Sequence, residues 1–573
     1  MVLVLVVLGL WAGFRAWTVA HELNVAADKA QVLRAALQRG DVAGARKALG
    51  EYQAAAGAAR DHTHGPTWVV ADHIPFLGDD ARGVATVSTV LADIGDRALP
   101  PIMTAAGQVT GDAFQPKGHR FPLATIAAMQ APARRSAAAF DDAEKTLAGV
   151  DSSGFAAPIR DRFDSLRSLV DEAHSVLGST YRAARMMPDL LGAHGPRNYI
   201  LVMENNAELR SGGGLPGSLT LVRADHGVVH IVSQGDSAKQ GLGATPILKV
   251  TPQERALFGS VLAISPVDAT MTPDLPRSAE LIRARWEHFH HQRIDGVFFV
   301  DPVAVSYLME GLGEIQVPGY PALSWNTVVP AVENAIYRLT GNNAVQSAYQ
   351  NAVAKAVFNT FADGHGDPVT AIRGLVRGVA EGRVKMHSFV PADQRQIAGT
   401  AIAGEFPTKA TSHPQAGVYI NDSTQSKMSY YLRYSADVAA RSCGDGIQTA
   451  AGTATLTNDS PPDVRSLPDS VTGWADPSRG ITKGQQYVVV YLTSPIGGTV
   501  SSLTIDGKTM AKPVLVPFAG REVATVGVHL DPGKTHSISW VMRSGIRQTG
   551  SWQLAVTPGS QPGTQSATVP SAC

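Results

Sequence analysis

Cysteine is nearly missing from this sequence. Cys443 and Cys573 are the only 2 among 573 residues, and no Cys-x-x-Cys spacing exists, which excludes a cysteine zinc site. Net charge is missing as well. The 49 Lys and Arg balance 49 Asp and Glu, so no overall field draws the chain to nucleic acid or to anionic lipid. Long basic runs and aromatic–basic alternation are absent, and nucleic-acid binding is not expected. No Gly-x-Ser-x-Gly, His-Glu-x-x-His or P-loop occurs, which removes the common hydrolase, metalloprotease and nucleotide-binding signatures. Apolar residues, by contrast, make up 44% of the chain, ample material for the cores of roughly two to four domains.

The apolar material is first concentrated at the N-terminus. Residues Met1 to Phe14 carry no charge; Arg15 interrupts, and Ala16 to Ala20 continue the run. A spanning helix needs about 20 apolar residues. The run reaches that length if Arg15 snorkels, and Trp11 and Trp17 suit a membrane interface. Residues 1–20 are therefore expected to be a membrane anchor, with a cleaved signal peptide or a buried core helix as alternatives. An anchor makes this a single-pass protein of the cell membrane, and either an anchor or a signal places the bulk of the chain outside the cytoplasm. There Cys443 and Cys573 are expected to form a disulfide, the alternative being two free thiols.

Composition then divides the chain. Residues 21–190 are rich in Ala, Leu, Gln and Arg at helical spacing, which predicts a helical bundle or stalk. Its clearest helix, Asp161 to Met187, keeps Phe163, Leu166, Val170 and Leu177 on one face. Gly195-Pro196 breaks this pattern. Residues 191–415 mix strands (Tyr199–Met203, Ser218–Arg223, Val228–Ser233, Ile294–Asp301, Glu314–Val317) with helices, which predicts an α/β domain. Residues 416–557 show short strands between Gly, Pro, Asn and Asp clusters, the pattern of a β-sandwich. Residues 558–573 are Pro, Gly, Ser, Thr and Gln, and read as a flexible tail. The expected fold class is thus multidomain α+β: membrane helix and stalk, central α/β domain, C-terminal sandwich.

The stretch from Arg197 to Ser218 concentrates the candidate chemistry. A strand-length apolar run leads into Glu204, Asn205, Asn206, Glu208 and Arg210, then Gly212, Gly213 and Gly214, then a second strand at Ser218. A guanidinium offers a two-pronged fork to phosphate or carboxylate, and successive glycine N–H groups can cradle an anion. Arg210, Asn205, Asn206, Glu208, Gly213 and Ser218 are the candidate ligand-binding residues. Glu204, Asp225 and Asp236 are candidates to hold a divalent cation. The competing reading is a buried structural network that closes a loop, with glycines where the backbone needs positive φ. His62, His64 and His73, His288 with His291, and Asp363 to Asp367 are weaker metal candidates, read as ordinary loop and helix-end residues.

Arg197-Asn198-Tyr199, Asn205 to Arg210, Gly213 and Gly217-Ser218 resemble an actinobacterial envelope family known as domain of unknown function 4012. Asp295-Gly296-Val297 running to Asp301-Pro302, Asn421-Asp422 with Lys427, and the β-rich C-terminal part are similar to it too. A more distant likeness is to the LytR-CpsA-Psr phosphotransferases, which move glycopolymers from a polyprenyl-pyrophosphate carrier to peptidoglycan. Ile294-Asp295, Val300-Asp301 and Gly311 to Ile315 carry that likeness. Gly217-Ser218-Leu219-Thr220 and Gln234-Gly235-Asp236 stand where that family has its Arg-Ser-Asp-Thr and Pro-Arg-Asp catalytic sets. The resemblances imply a membrane-anchored envelope protein that binds a phosphorylated, polyprenyl-linked or glycopolymer ligand. The alternatives are a non-catalytic scaffold organising envelope proteins, and an active glycopolymer phosphotransferase.

Overall fold

The computed structural model describes residues 2–39, 41–65, 68–70, 78–108 and 111–573, with the side chains of 2–14, 38, 106–108 and 111–112 outside that description. It divides into two compact units, residues 1–115 with 122–193, and residues 116–121 with 194–573.

The first unit is helical: α1 (Val2–Gln38), α2 (Val42–Thr63), α3 (Gly78–Asp93), α4 (Leu99–Gln108), α5 (Leu123–Ala128), α6 (Gln130–Ala148) and α7 (Ala157–Leu190). Asp41 caps α2 by accepting a 2.8 Å bond from Gly44 N. Alanine lets these helices approach closely: Ala26, Ala55, Ala56 and Ala92 share one small core with Tyr52. Phe140, Leu147, Phe163 and Val170 build a second. The N-terminal apolar run falls on α1. Among the described residues no helix is long and apolar enough to cross a membrane. His62 pairs with Arg15 at 2.6 Å and His64 with the Arg60 carbonyl at 2.8 Å, while His73 lies outside the described residues.

The second unit holds a five-stranded sheet in the order β3-β2-β1-β4-β5, from β1 (Arg197–Asn205), β2 (Leu215–Asp225), β3 (Val228–Asp236), β4 (Gly296–Val300) and β5 (Val384–Ser388). β1 and β4 run parallel, and the other pairs are antiparallel. Ile200, Val202, Val297 and Phe299 face one core, against α8 (Pro252–Phe258) and α9 (Leu275–His290). Met203 and Val300 face another, built from α10 (Pro302–Leu312), α11 (Asn343–Ala362) and α12 (Pro368–Ala380) with the segment 328–337. Asp301 caps α10 through Ala304 N at 2.7 Å, and Pro302 takes the first helical position, as the sequence predicts. At the β3 edge, residues 116–121 add main-chain bonds from Val229 N to His119 O and from Phe121 N to Gly227 O.

The remainder is a β-sandwich. One sheet has the order β11-β10-β14-β8-β7 and the other β12-β13-β9-β6-β15-β16. Its strands are β6 (Gln415–Asp422), β7 (Leu432–Gly444), β8 (Ile447–Asn458), β9 (Gln486–Thr493), β10 (Thr499–Ile505), β11 (Lys508–Thr509), β12 (Val514–Phe518), β13 (Arg521–Leu530), β14 (Thr535–Arg543), β15 (Trp552–Val556) and β16 (Ala567–Val569). Trp540, Trp552, Val488, Val490 and Ile538 fill the space between the sheets. Alternate residues of β9, β12 and β13 (Tyr491, Val516, Val523) turn outward into the core shared with α8 and α9. The α/β and sandwich regions thus share one apolar core.

Two sequence expectations change here. Glu314–Val317 is not a strand but a single bridge between Ile315 and Leu323, because the chain turns back at once through Val317-Pro318-Gly319-Tyr320. Residues 558–573, read as a flexible tail, carry β16, which pairs with β15, and end in the Cys443–Cys573 disulfide. Main-chain hydrogen bonds make no demand on side-chain apolarity, so composition could not reveal that attachment.

Candidate functional site

The carboxyl ends of the parallel strands β1 and β4 meet in the middle of the sheet, the position at which open α/β sheets expose their ligand crevices. A cleft opens beside them. It encloses about 50 Å³. Its walls are Met203, Glu204 and Asn205 from β1, Gly217 and Ser218 from β2, Pro302 and Val305 from α10, Val328 and Val332, and Gln350, Val353 and Ala354 from α11. The lining is apolar on the helical side and polar on the strand side. Among the described residues no Lys or Arg lines it.

A β-bulge shapes the polar wall. The register of β1 against β2 slips between Met203 and Glu204, so consecutive residues both face the cleft. Glu204 is only 2% exposed, and neither carboxyl oxygen has a hydrogen-bond partner of good geometry. Burial pushes its pKa up to about 7; Lys385 and the Gly214 N–H oppose the rise, and Asp301 adds to it. Asn205 is held from the side: its Nδ2 donates to the Tyr337 hydroxyl at 2.8 Å, which also accepts from Gln350 Nε2 at 2.6 Å. Ser218 lies opposite Met203 in the β1–β2 ladder.

The rest of the stretch turns away from the cleft. Asn206 donates from Nδ2 to the Gly213 carbonyl at 3.1 Å, and its N–H donates to Glu333 at 3.3 Å. Glu208 pairs with Lys427. Arg210 donates to the carbonyls of Leu209 at 3.1 Å and Asp422 at 2.8 Å. Ser211 N donates to Asn421 Oδ1 at 2.7 Å. Asn421, Asp422 and Lys427, about two hundred residues downstream, are therefore the partners of this loop. Asp422 is fully buried, and burial raises its pKa to about 6 against the bonds from Ser429 and Thr424.

The glycines serve the backbone. Gly212 N donates to Thr270 O and Gly213 N to Arg210 O, so these N–H groups form no anion cradle. Gly213 has φ 134°, and a Cβ there would lie 2.9 Å from Glu204 Oε2. A Cβ on Gly214 would lie 2.7 Å from the Asn205 carbonyl.

The cation set expected from Glu204, Asp225 and Asp236 does not assemble. Asp236 lies opposite Ser218, whereas Asp225 is at the far end of the same hairpin, roughly 23 Å along the strand. Asp225 pairs with His226 at 2.6 Å, and Asp236 caps the next turn through Ala238 N at 2.9 Å. Among the described residues no group of three or more His, Cys, Asp or Glu could hold a metal ion. His290 bonds Gln240 at 2.8 Å, and Asp363 pairs with His119 at 3.5 Å.

A buried ion cluster behind the cleft escaped the sequence. Arg383, 1% exposed, donates to Asp301 at 2.8 Å, to Glu381 at 2.9 Å, and to the carbonyls of Gly559 (2.8 Å), Gln561 (2.5 Å) and Gly563 (2.9 Å). Lys385 donates to the Gly212 carbonyl. Glu333 sits in a π-helical turn, Ala331–Ala335, where burial pushes its pKa up to about 8. Its signal was a lone acid inside the apolar run Val328 to Ile336. Arg383-Val384-Lys385 had no comparable signal beside two helices rich in charge.

Residues 194–337 match the family described as "Protein of unknown function (DUF4012)". That span includes Glu204, Asn205, Ser218, Val305 and Val332, but stops short of the α11 wall. No curated protein and no solved structure matches the chain.

Proposed function

We propose that this chain is a membrane-anchored cell-envelope protein whose α/β domain binds a lipid-like, polyprenyl-type ligand. The observation that carries the reading is the cleft: apolar on the α10 and α11 side, polar only at Glu204, Asn205, Ser218 and Gln350. An apolar lining with few, clustered polar groups is the usual make-up of a small-ligand site. The disulfide supports a location outside the cytoplasm. The uncharged run Met1 to Phe14 supports an anchor. The phosphoryl part of the expected ligand finds no support in the cleft, since Arg210 bonds main-chain carbonyls outside it and, among the described residues, no cation lines the walls.

A scaffold for envelope proteins is the second reading. The dense bonding of Asn206, Glu208 and Arg210 to Glu333, Lys427 and Asp422 favours it, because that half of the stretch does nothing but hold the loop.

Native mass spectrometry of the full chain extracted from membranes separates the two. Ala354→Trp fills the cleft from its half-buried α11 wall. A co-purifying polyprenyl species in the wild type that is lost in Ala354→Trp is the expected result. Bare protein in both, with unchanged melting, makes the scaffold the correct reading.

A further inference from the structure

Residues 558–573 are closed onto the body of the second unit, yet little of them is buried. Of these residues, all described, only Ser560 is buried, and Val569 is the one apolar side chain packed against the sandwich core. What holds the segment is polar. Arg383 gathers the carbonyls of Gly559, Gln561 and Gly563, and Gly563 N donates to the Tyr307 hydroxyl at 3.0 Å. β16 adds three residues, Ala567 to Val569, to the edge of β15. Ala572 N donates to Gln448 Oε1 at 3.0 Å. The Cys443–Cys573 bond closes the far end, and both cysteines are exposed. The net gain from one hydrogen bond is no larger than the entropy lost in ordering one residue. A segment with so little apolar burial belongs to the low-stability end of a fold unless its far end is tied. The disulfide ties it, holding the segment at high local concentration over its partners.

We propose that residues 558–573 are a redox-latched strap over the buried ion cluster: the exposed Cys443–Cys573 bond keeps the strap closed, and its reduction opens the strap while the rest of the fold stays intact. The device is independent of what the cleft binds. Exposed disulfides are the ones that exchange readily. The reductant is a dithiol. One of its thiolates attacks a cysteine sulfur, which breaks the S–S bond and forms a mixed disulfide. Its second sulfur then displaces the remaining cysteine, so the dithiol leaves oxidised to a disulfide. Its two electrons and two protons end on Cys443 and Cys573 as thiols. Opening takes three carbonyls from Arg383 but leaves its Nη1 on Asp301 and its Nε on Glu381. The cluster gains water without losing an ion pair, so the strap leaves and the sheet stays folded.

The test is amide hydrogen exchange on the full chain, read by mass spectrometry, in the oxidised protein, after dithiothreitol, and in Cys573→Ser, each checked for cooperative melting. Reduction is expected to speed exchange across residues 559–572 at least about ten-fold, to leave β9 and β13 unchanged, and to reverse on reoxidation. Cys573→Ser is expected to show the fast pattern without reductant and no further change with it. Slow exchange across 559–572 despite counted free thiols overturns the latch, because the polar contacts then hold the strap alone. Equal acceleration in β9 and β13, or a Cys573→Ser chain that does not melt cooperatively, overturns it as well, since the bond then supports the whole sandwich. A bond that resists dithiothreitol in the folded protein removes the switch outright.

Discussion

Glu204 and Arg210 stand six residues apart in one loop, both charged and both conspicuous in the sequence, and the fold treats them in opposite ways. Arg210 is fixed through Nη1 to two main-chain carbonyls, one of them Asp422 on the sandwich strand β6, while its Nε is buried without a partner. Glu204 has no partner of good geometry and belongs to the cleft wall, with its carboxyl buried beside Gly213 and Lys385. The residue with the more obvious ligand chemistry, a forked cation beside three glycines, is the structural one. A guanidinium has five donors to satisfy and takes main-chain oxygens wherever a loop must be closed. A buried acid at a strand bulge that lines a cleft is the stronger mark of a binding position.

Substitutions can break or sharpen that contrast. The largest effect is expected at Arg383, whose donors are all engaged in the buried cluster. Arg383→Ala strands Asp301 in the interior and should cost about 3–5 kcal/mol of stability, read by denaturant unfolding. Arg210→Ala should cost less, about 2 kcal/mol, for the loss of two charge-assisted bonds to carbonyls, with lipid affinity unchanged once folding is allowed for. Loss of affinity without loss of stability would reverse the roles assigned to the two residues.

The smallest and most specific effect concerns pH. Glu204 and Glu333 have folded pKa values raised to about 7 and about 8 from an ordinary 4.5. Between the unfolded and folded values the native state holds more protons than the unfolded state, so stability falls as pH rises from about 4.5 to about 8 and then levels. Melting temperature should drop by several degrees between pH 5 and pH 8.5. Glu204→Gln removes the part of that slope below about 7 and should melt higher than the wild type at pH 8.5. Arg210→Ala should lower both ends of the curve alike.

Much of the fold was legible. The helical character of 21–190, the β2–β3 hairpin, β4 followed by α10 at Pro302, and the sandwich strands β7 to β10, β13 and β14 follow from periodicity and turn residues. β5, β6, β11, β12, β15 and β16 were missed. β5 and β12 are five residues each, and their apolar alternation is too brief to stand out beside neighbouring helices and turns. Within the site, the sequence located the stretch but misassigned its halves. Which of Glu204 and Arg210 finds a partner depends on Asp422, which is far away in the chain and adjacent only after folding. The α11 wall, with Gln350, Val353 and Ala354, reads as an ordinary helix and becomes part of a cleft only when laid across β1 and β2.

Arg383 also imposes an order on biosynthesis. Its guanidinium is complete only when the carbonyls of Gly559, Gln561 and Gly563 arrive, 176 to 180 residues downstream. A ribosome that has released all five strands of the sheet has left that side chain half-solvated, waiting for a segment not yet made. The centre of the sheet thus matures late, and a chain interrupted before residue 559 keeps a raw charge where the finished protein has none.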